Sequence, residues 1–219
     1  MQMGTRSVCA LKEAMLLYAV TDRAWLRGRS LADCVRQAIE GGATFMQLRE
    51  KDISHDELVA FGRELLPICR SANVPFVIDD DVEAALETGA DGVHVGQSDL
   101  ACAKAREMLG PDAIVGVSVQ TVAQALEAQG AGADYLGVGA LIPTPTKPDA
   151  VDVTLEELRA ICDAVEIPVV GIGGLNVETI PQLAGFGADG AAVVSAIFAA
   201  DDCERASREL RLVCERTFR

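Results

Sequence analysis

Eight short apolar runs, several of them rich in β-branched residues and each followed by a longer stretch with apolar residues three and four positions apart, fill the chain from Leu16 onward with no linker between them. The runs are 16–20, 45–49, 76–79, 92–95, 114–117, 135–138, 168–171 and 190–194. Leu58, Phe61, Leu65 and Ile68 show the intervening spacing, that of a helix laid over a sheet. Gly-Ala pairs stand just before several runs, at Gly42-Ala43, Gly89-Ala90, Gly132-Ala133 and Gly187-Ala188. A glycine there suits a helix C-terminal stop, and the echo is that of one βα unit reused. Eight such units close into a (β/α)8 barrel, and 219 residues lies at the compact end of its size range. A doubly wound open sheet would carry a Gly-rich phosphate turn after its first strand, where this chain has Thr21-Asp22-Arg23. The expected fold class is therefore α/β, a single (β/α)8 TIM barrel over residues 16–219. Residues 1–15 form an N-terminal extension, either a helix capping the barrel bottom or a loose tail.

Charge narrows the partners. With 19 Lys and Arg against 33 Asp and Glu, the chain carries −14. Nucleic-acid affinity rests on cations displacing counterions from phosphates, so no nucleic acid is expected. The longest uncharged apolar stretch, 190–200, falls short of the roughly 20 residues that span a bilayer, so no membrane is expected either. The first residues lack the apolar centre of a secretory signal, which points to the cytoplasm. Seven cysteines, odd in number, far apart and without a CxxC pair, argue against a disulfide framework or a zinc site and read as small apolar fillers on helices. A homo-oligomer is compatible with this composition.

In such a barrel the reactive groups lie at the C-terminal ends of the strands. Strand alternation puts Gln47, Arg49 and Lys51 on one face, two cations and an amide turned towards the barrel mouth. The bland alternative is a barrel-filling Arg49 neutralised by an acid such as Glu50. The third run ends in Asp79-Asp80-Asp81 and the fourth in His94-Val95-Gly96-Gln97-Ser98-Asp99. Capping explains any one of these acids, with Asp80 or Asp81 and Ser98 or Asp99 as helix starts. Two acidic loops beside a basic strand instead suit a Mg²⁺-bridged diphosphate, since Mg²⁺ takes hard oxygens from one or two carboxylates plus phosphate and water. His94 reads as packed and hydrogen-bonded rather than as a direct participant. The long connection 139–148 carries Thr144, Thr146 and Lys147 among prolines, as a binding loop would. Gly171-Ile172-Gly173-Gly174 after the seventh strand, and Val194-Ser195 after the eighth, occupy the recurrent phosphate site of these barrels. Two anion sites imply two phosphorylated small-molecule substrates.

Taken together, Gln47-Leu48-Arg49-Glu50-Lys51, the segment 89–99, Gly116-Val117-Ser118, Pro143-Thr144-Pro145-Thr146-Lys147, Gly171-Ile172-Gly173-Gly174 and Val194-Ser195 resemble the thiamine-phosphate synthase family over about 16–200. The resemblance implies a transferase of thiamine biosynthesis that joins a pyrimidine diphosphate to a thiazole phosphate, with loss of pyrophosphate. It implies that Gln47, Arg49, Lys51, Asp79, Ser118 and Lys147 hold the pyrimidine diphosphate, with Arg49, Lys51 and Lys147 stabilising the leaving group. It also implies that Asp80 and Asp99 hold Mg²⁺, and that Thr144, Thr146, Gly174, Val194 and Ser195 hold the thiazole phosphate. Two departures stand out: Asp79 where the family more often has Asn, and Ala140-Leu141-Ile142 where it usually has Pro and Phe. A thiazole tautomerase-like enzyme would keep the phosphate site and use a histidine, without needing Arg49, Lys51 and Asp80. A non-catalytic barrel sensing a phosphorylated metabolite would not need the metal carboxylates.

Overall fold

The structure is a computed structural model that describes residues 8–96, 99–142 and 153–219, with the side chains of 99–101 excepted. Eight parallel strands close into a barrel in chain order: β1 (Leu17–Val20), β2 (Phe45–Leu48), β3 (Phe76–Asp79), β4 (Gly92–Val95), β5 (Ile114–Val119), β6 (Tyr135–Val138), β7 (Val169–Ile172) and β8 (Gly190–Val193). β8 returns to β1, with Leu17 opposite Ala191 and Ala19 opposite Val193, so closure leaves no free edge. Each of the eight runs expected from the sequence becomes a strand. The fifth extends two residues further than the pattern suggests, because Ser118 and Val119 pair with Gly137 and Val138 of β6.

The helices are α1 (Val8–Ala14), α2 (Leu31–Glu40), α3 (His55–Ser71), α4 (Val82–Thr88), α5 (Asp99–Leu109), α6 (Val122–Gly130), α7 (Leu155–Ala164), α8 (Ser195–Phe198) and α9 (Cys203–Phe218). Reciprocal capping boxes, Ser54 with Glu57 and Thr121 with Gln124, fix the entries of α3 and α6. The helix expected after β7 is absent. In its place Ile180–Leu183 makes a single 3-10 turn. Asn176 turns its carboxamide oxygen onto the N–H groups of Glu178 and Thr179, Pro181 has no N–H to give, and Gly185 and Gly187 adopt positive φ. Ile180 and Leu183 still fill the apolar role of that helix, buried beneath α9.

The core has two shells. Tyr18, Phe45, Val77, Ile114, Tyr135 and Val170 fill the barrel interior, and a larger apolar layer lies between strands and helices. Leu11 and Met15 join the interior cluster from below, while Lys12 reaches Asp189 at 3.4 Å. Of the two readings of the N-terminal extension, residues 8–15 thus follow the capping one and close the end of the barrel where the strands begin. All seven cysteines lie on helices, five of them buried, as apolar fillers would. Among the described residues no helix is long and apolar enough to cross a membrane.

Candidate active site

The three consecutive acids after β3 have three different surroundings. Asp79 takes two cations, Arg49 Nε and Lys51 Nζ, each at 3.6 Å. Asp80 stands at φ +60, a left-handed conformation that Asp tolerates better than most residues, with its N–H donating to the His94 carbonyl at 2.7 Å. That turn leaves its carboxylate 60% exposed at the rim, 3.5 Å from Lys51. Asp81 is the helix cap, accepting from Ala84 N–H at 2.8 Å, and its second oxygen meets His55 at 2.7 Å. Of the two capping candidates, Asp81 is the one used, and Asp80 remains at the mouth.

Glu50 does not neutralise Arg49. Its carboxylate is buried against the β1 loop, where it accepts from the Thr21 hydroxyl at 2.9 Å and from Arg23 N and Nε at 3.1 Å each. Burial pushes its carboxyl above the ordinary range, against the opposing pull of those hydrogen bonds. Thr21 in turn accepts from Arg49 N–H at 3.0 Å, so the first two strand ends are tied together below the cations. Arg49 is freed to face Asp79.

Inside the barrel a run of polar side chains crosses from β2 to β5. Gln47 Nε2 donates to the Tyr18 hydroxyl at 2.8 Å, the Tyr18 and Tyr135 hydroxyls lie 2.7 Å apart, His94 Nδ1 is 2.9 Å from Tyr135, and His94 Nε2 is 2.9 Å from Ser118 Oγ. Burial pushes both phenols well above the usual tyrosine range, so both keep their protons. Gly116 makes room for this arrangement: a Cβ there would stand 2.1 Å from the Tyr135 ring. Sequence reasoning did not single out either tyrosine of this run. For Tyr135 the available signal was Gly137 on the same face of β6, while nothing on β1 marks Tyr18.

On the opposite side of the mouth, β7 and β8 pair with Ile172 opposite Ala192, so Gly174 and Val194 follow on neighbouring strand ends. Gly173 and Gly174 have φ +97 and +65, and a Cβ on either would come within 2.7 Å of the Ala140–Ile142 segment. The departure at Ala140-Leu141-Ile142 therefore packs directly against the glycine turn. Ser195 opens the four-residue α8, the short extra helix that such barrels carry after strand eight. Arg29 holds the other end of α8, donating to the Phe198 and Ala200 carbonyls at 2.6 Å each. Arg29 was also missed, since nothing in its sequence neighbourhood announces a contact about 170 residues away.

The structure thus gathers Gln47, Arg49, Lys51, Asp79, Asp80 and Ser118 on one side, and Gly174, Val194 and Ser195 on the other. Thr144, Thr146 and Lys147 lie outside the described residues, as does the side chain of Asp99 on α5. Among the described residues no group of three or more His, Cys, Asp or Glu side chains forms a metal cage. The exposed Asp80 carboxylate fits a different kind of site, one in which a hard cation takes one or two carboxylates and completes its shell with phosphate and water.

Residues 17–197 match a family model described as thiamine monophosphate synthase. A thiamine-phosphate synthase of Roseiflexus sp. (strain RS-1) is 46% identical over 199 residues, covering 90% of this chain and 84% of that protein. One from Pyrococcus abyssi is 45% identical over 204 residues, covering 93% and 97%. Among solved structures, a thiamine phosphate pyrophosphorylase from Pyrococcus furiosus superposes with a TM-score of 0.87 at 40% identity, covering 95% of this chain and 100% of that one.

Proposed function

The chain belongs to the thiamine monophosphate synthase family, and from that premise we infer that it joins 4-amino-5-hydroxymethyl-2-methylpyrimidine diphosphate to 4-methyl-5-(2-hydroxyethyl)thiazole phosphate, giving thiamine phosphate and pyrophosphate. The observation that carries this reading is the convergence of Arg49 and Lys51 on Asp79, with Asp80 beside them. Before substrate arrives, these acids hold two cations together at the mouth. A diphosphate entering there meets a preorganised positive pair and needs no costly gathering of charge.

The pyrimidine amino group donates electrons towards the methylene carbon, so the bond to the diphosphate oxygen breaks as positive charge grows on that carbon. The electron pair leaves with pyrophosphate. Arg49, Lys51 and Lys147 stabilise that departing charge, and Gln47, Asp79 and Ser118 orient the pyrimidine. The thiazole nitrogen is already a nucleophile and requires no base. Gly174, Val194, Ser195, Thr144 and Thr146 hold its phosphate so that the nitrogen faces the carbon in line, which removes much of the entropic barrier. Asp80 and Asp99 would hold Mg²⁺, which would supply Lewis-acid charge stabilisation to the departing diphosphate. A thiazole tautomerase would leave the Arg49, Lys51 and Asp80 group without a task. The setting is the cytoplasm, a reading supported by seven free thiols.

The test is to incubate the protein with both substrates and Mg²⁺, and to look for thiamine phosphate by mass spectrometry and for pyrophosphate by a coupled assay. Both products are expected in equal amounts, and EDTA stops their formation. Absence of both from a folded preparation rules the reading out.

A further inference from the structure

The buried polar run from Gln47 to Ser118 has a direction, and one group sets it. An amide nitrogen can only donate, so the Gln47 Nε2–H fills an acceptor position on the Tyr18 oxygen. Among the described residues Tyr18 Oη has one further partner, the Tyr135 hydroxyl. Were Tyr135 the donor in that contact, the Tyr18 proton would be buried with no acceptor. Tyr18 therefore donates to Tyr135. Tyr135, having accepted, gives its own proton to its other partner, His94 Nδ1. The imidazole is then the neutral form with its proton on Nε2, and that N–H donates to Ser118 Oγ. With an oxygen lone pair taken by His94, the Ser118 hydroxyl directs its proton away from the imidazole.

We propose that the Gln47–Tyr18–Tyr135–His94 chain is a positioning relay that fixes the His94 tautomer and turns the Ser118 hydroxyl into a proton donor towards an acceptor atom of the bound pyrimidine diphosphate. Tyr18, Tyr135 and His94 act through Ser118 and are positioning residues. Two observations beyond the distances support a dedicated arrangement. Gly116 leaves open space where a side chain would strike the Tyr135 ring, and a Cβ at Gly137 would crowd the His94 ring at 3.3 Å. The relay also joins Gln47 on β2 to Ser118 on β5, two residues assigned above to the same substrate, across the barrel interior. The last link, delivery of the proton to substrate, rests on that assignment; the tautomer does not.

The chain has two histidines, so ¹⁵N-histidine labelling of the ligand-free full chain gives a simple spectrum in which His55→Gln identifies the His94 signals. At pH 7.5 long-range ¹H–¹⁵N spectra are expected to show His94 protonated at Nε2 and bare at Nδ1. In Gln47→Glu an ionised carboxylate only accepts, so every donor reverses and the proton moves to Nδ1. Tyr18→Phe cuts the connection, and the Gln47→Glu, Tyr18→Phe double variant is expected to keep the Nε2–H form. A wild-type Nδ1–H form, or a tautomer indifferent to Gln47→Glu, overturns the relay. Kinetics test its output: Ser118→Ala raises KM for the pyrimidine diphosphate roughly tenfold, as loss of one hydrogen bond of about 1.4 kcal/mol would. Tyr135→Phe raises the same KM by roughly fivefold and leaves KM for the thiazole phosphate unchanged, a split that a general loss of packing would not give. An unaltered pyrimidine KM in Ser118→Ala overturns the last link even if the tautomer is as stated. Absence of any thiamine phosphate would instead remove the functional reading and leave the tautomer measurement standing.

Discussion

At the residue level, position 79 shows how one side chain can both organise and oppose a binding site. Asp79 holds Arg49 and Lys51 in place, yet under the proposed function its charge would also compete with the diphosphate for them. Asp79→Asn keeps the shape and removes the competition, so KM for the pyrimidine diphosphate is expected to stay equal or fall. A large rise in steady-state assays would show that the carboxylate has a further task. Lys51 has the opposite balance. It is half exposed, so Lys51→Ala leaves the circular dichroism spectrum unchanged. Removing one donor aimed at developing charge costs on the order of 10²–10³ in rate, and pyrophosphate release is expected to fall by that much. That Arg49 and Lys51 share one face at the mouth was legible from residue type and strand alternation. The partner of Arg49 was not: the adjacent Glu50 is the obvious choice in sequence, but its carboxylate is buried against Thr21 and Arg23.

At the level of elements, local pattern and tertiary context divide the work. The strands were readable because a β-branched run between turn signals has few other uses in a barrel. The helix after β7 was not, since Asn176 and Pro181 satisfy or remove the N–H groups a helix start would use. α8 is too short to be stable by itself and depends on Arg29 for its C-terminal end. Arg29→Ala removes charge-assisted bonds worth about 1.5–3 kcal/mol each, and KM for the thiazole phosphate is expected to rise about tenfold or more. An unchanged value would separate α8 from phosphate binding. Between α3 and α4, the hydrogen bond that His55 donates to Asp81, aided by Glu87, raises His55 from 6.5 to about 9. A raised value in the folded state means the contact stabilises fully below pH 6.5 and fades as pH climbs through 9. The difference in Tm between the protein and His55→Gln should therefore be greatest below pH 6.5, while Asp81 and Glu87 remain ionised, and should vanish as pH rises well above 9.

For the whole molecule, the two ends of the barrel serve separate purposes. α1 closes the end where strands begin, and the charged mouth lies where they finish. Leu11→Ala opens the packing under Tyr18 and Phe45 and is expected to cost about 2–4 kcal/mol in denaturant unfolding while leaving turnover at 25 °C unchanged. A fall in turnover would show that the ends are coupled. The sequence by itself determined the eightfold βα order, the strand limits to within two residues and the types of residue at each strand end, because each depends on neighbours a few positions away. Only the tertiary structure decided which cation meets which acid, that α1 is a plug, and that a buried hydrogen-bond relay joins Gln47 to Ser118. The contacts of the mouth and of the relay link residues 24 to 117 positions apart, and closure of the barrel, not the local pattern, brings them within reach.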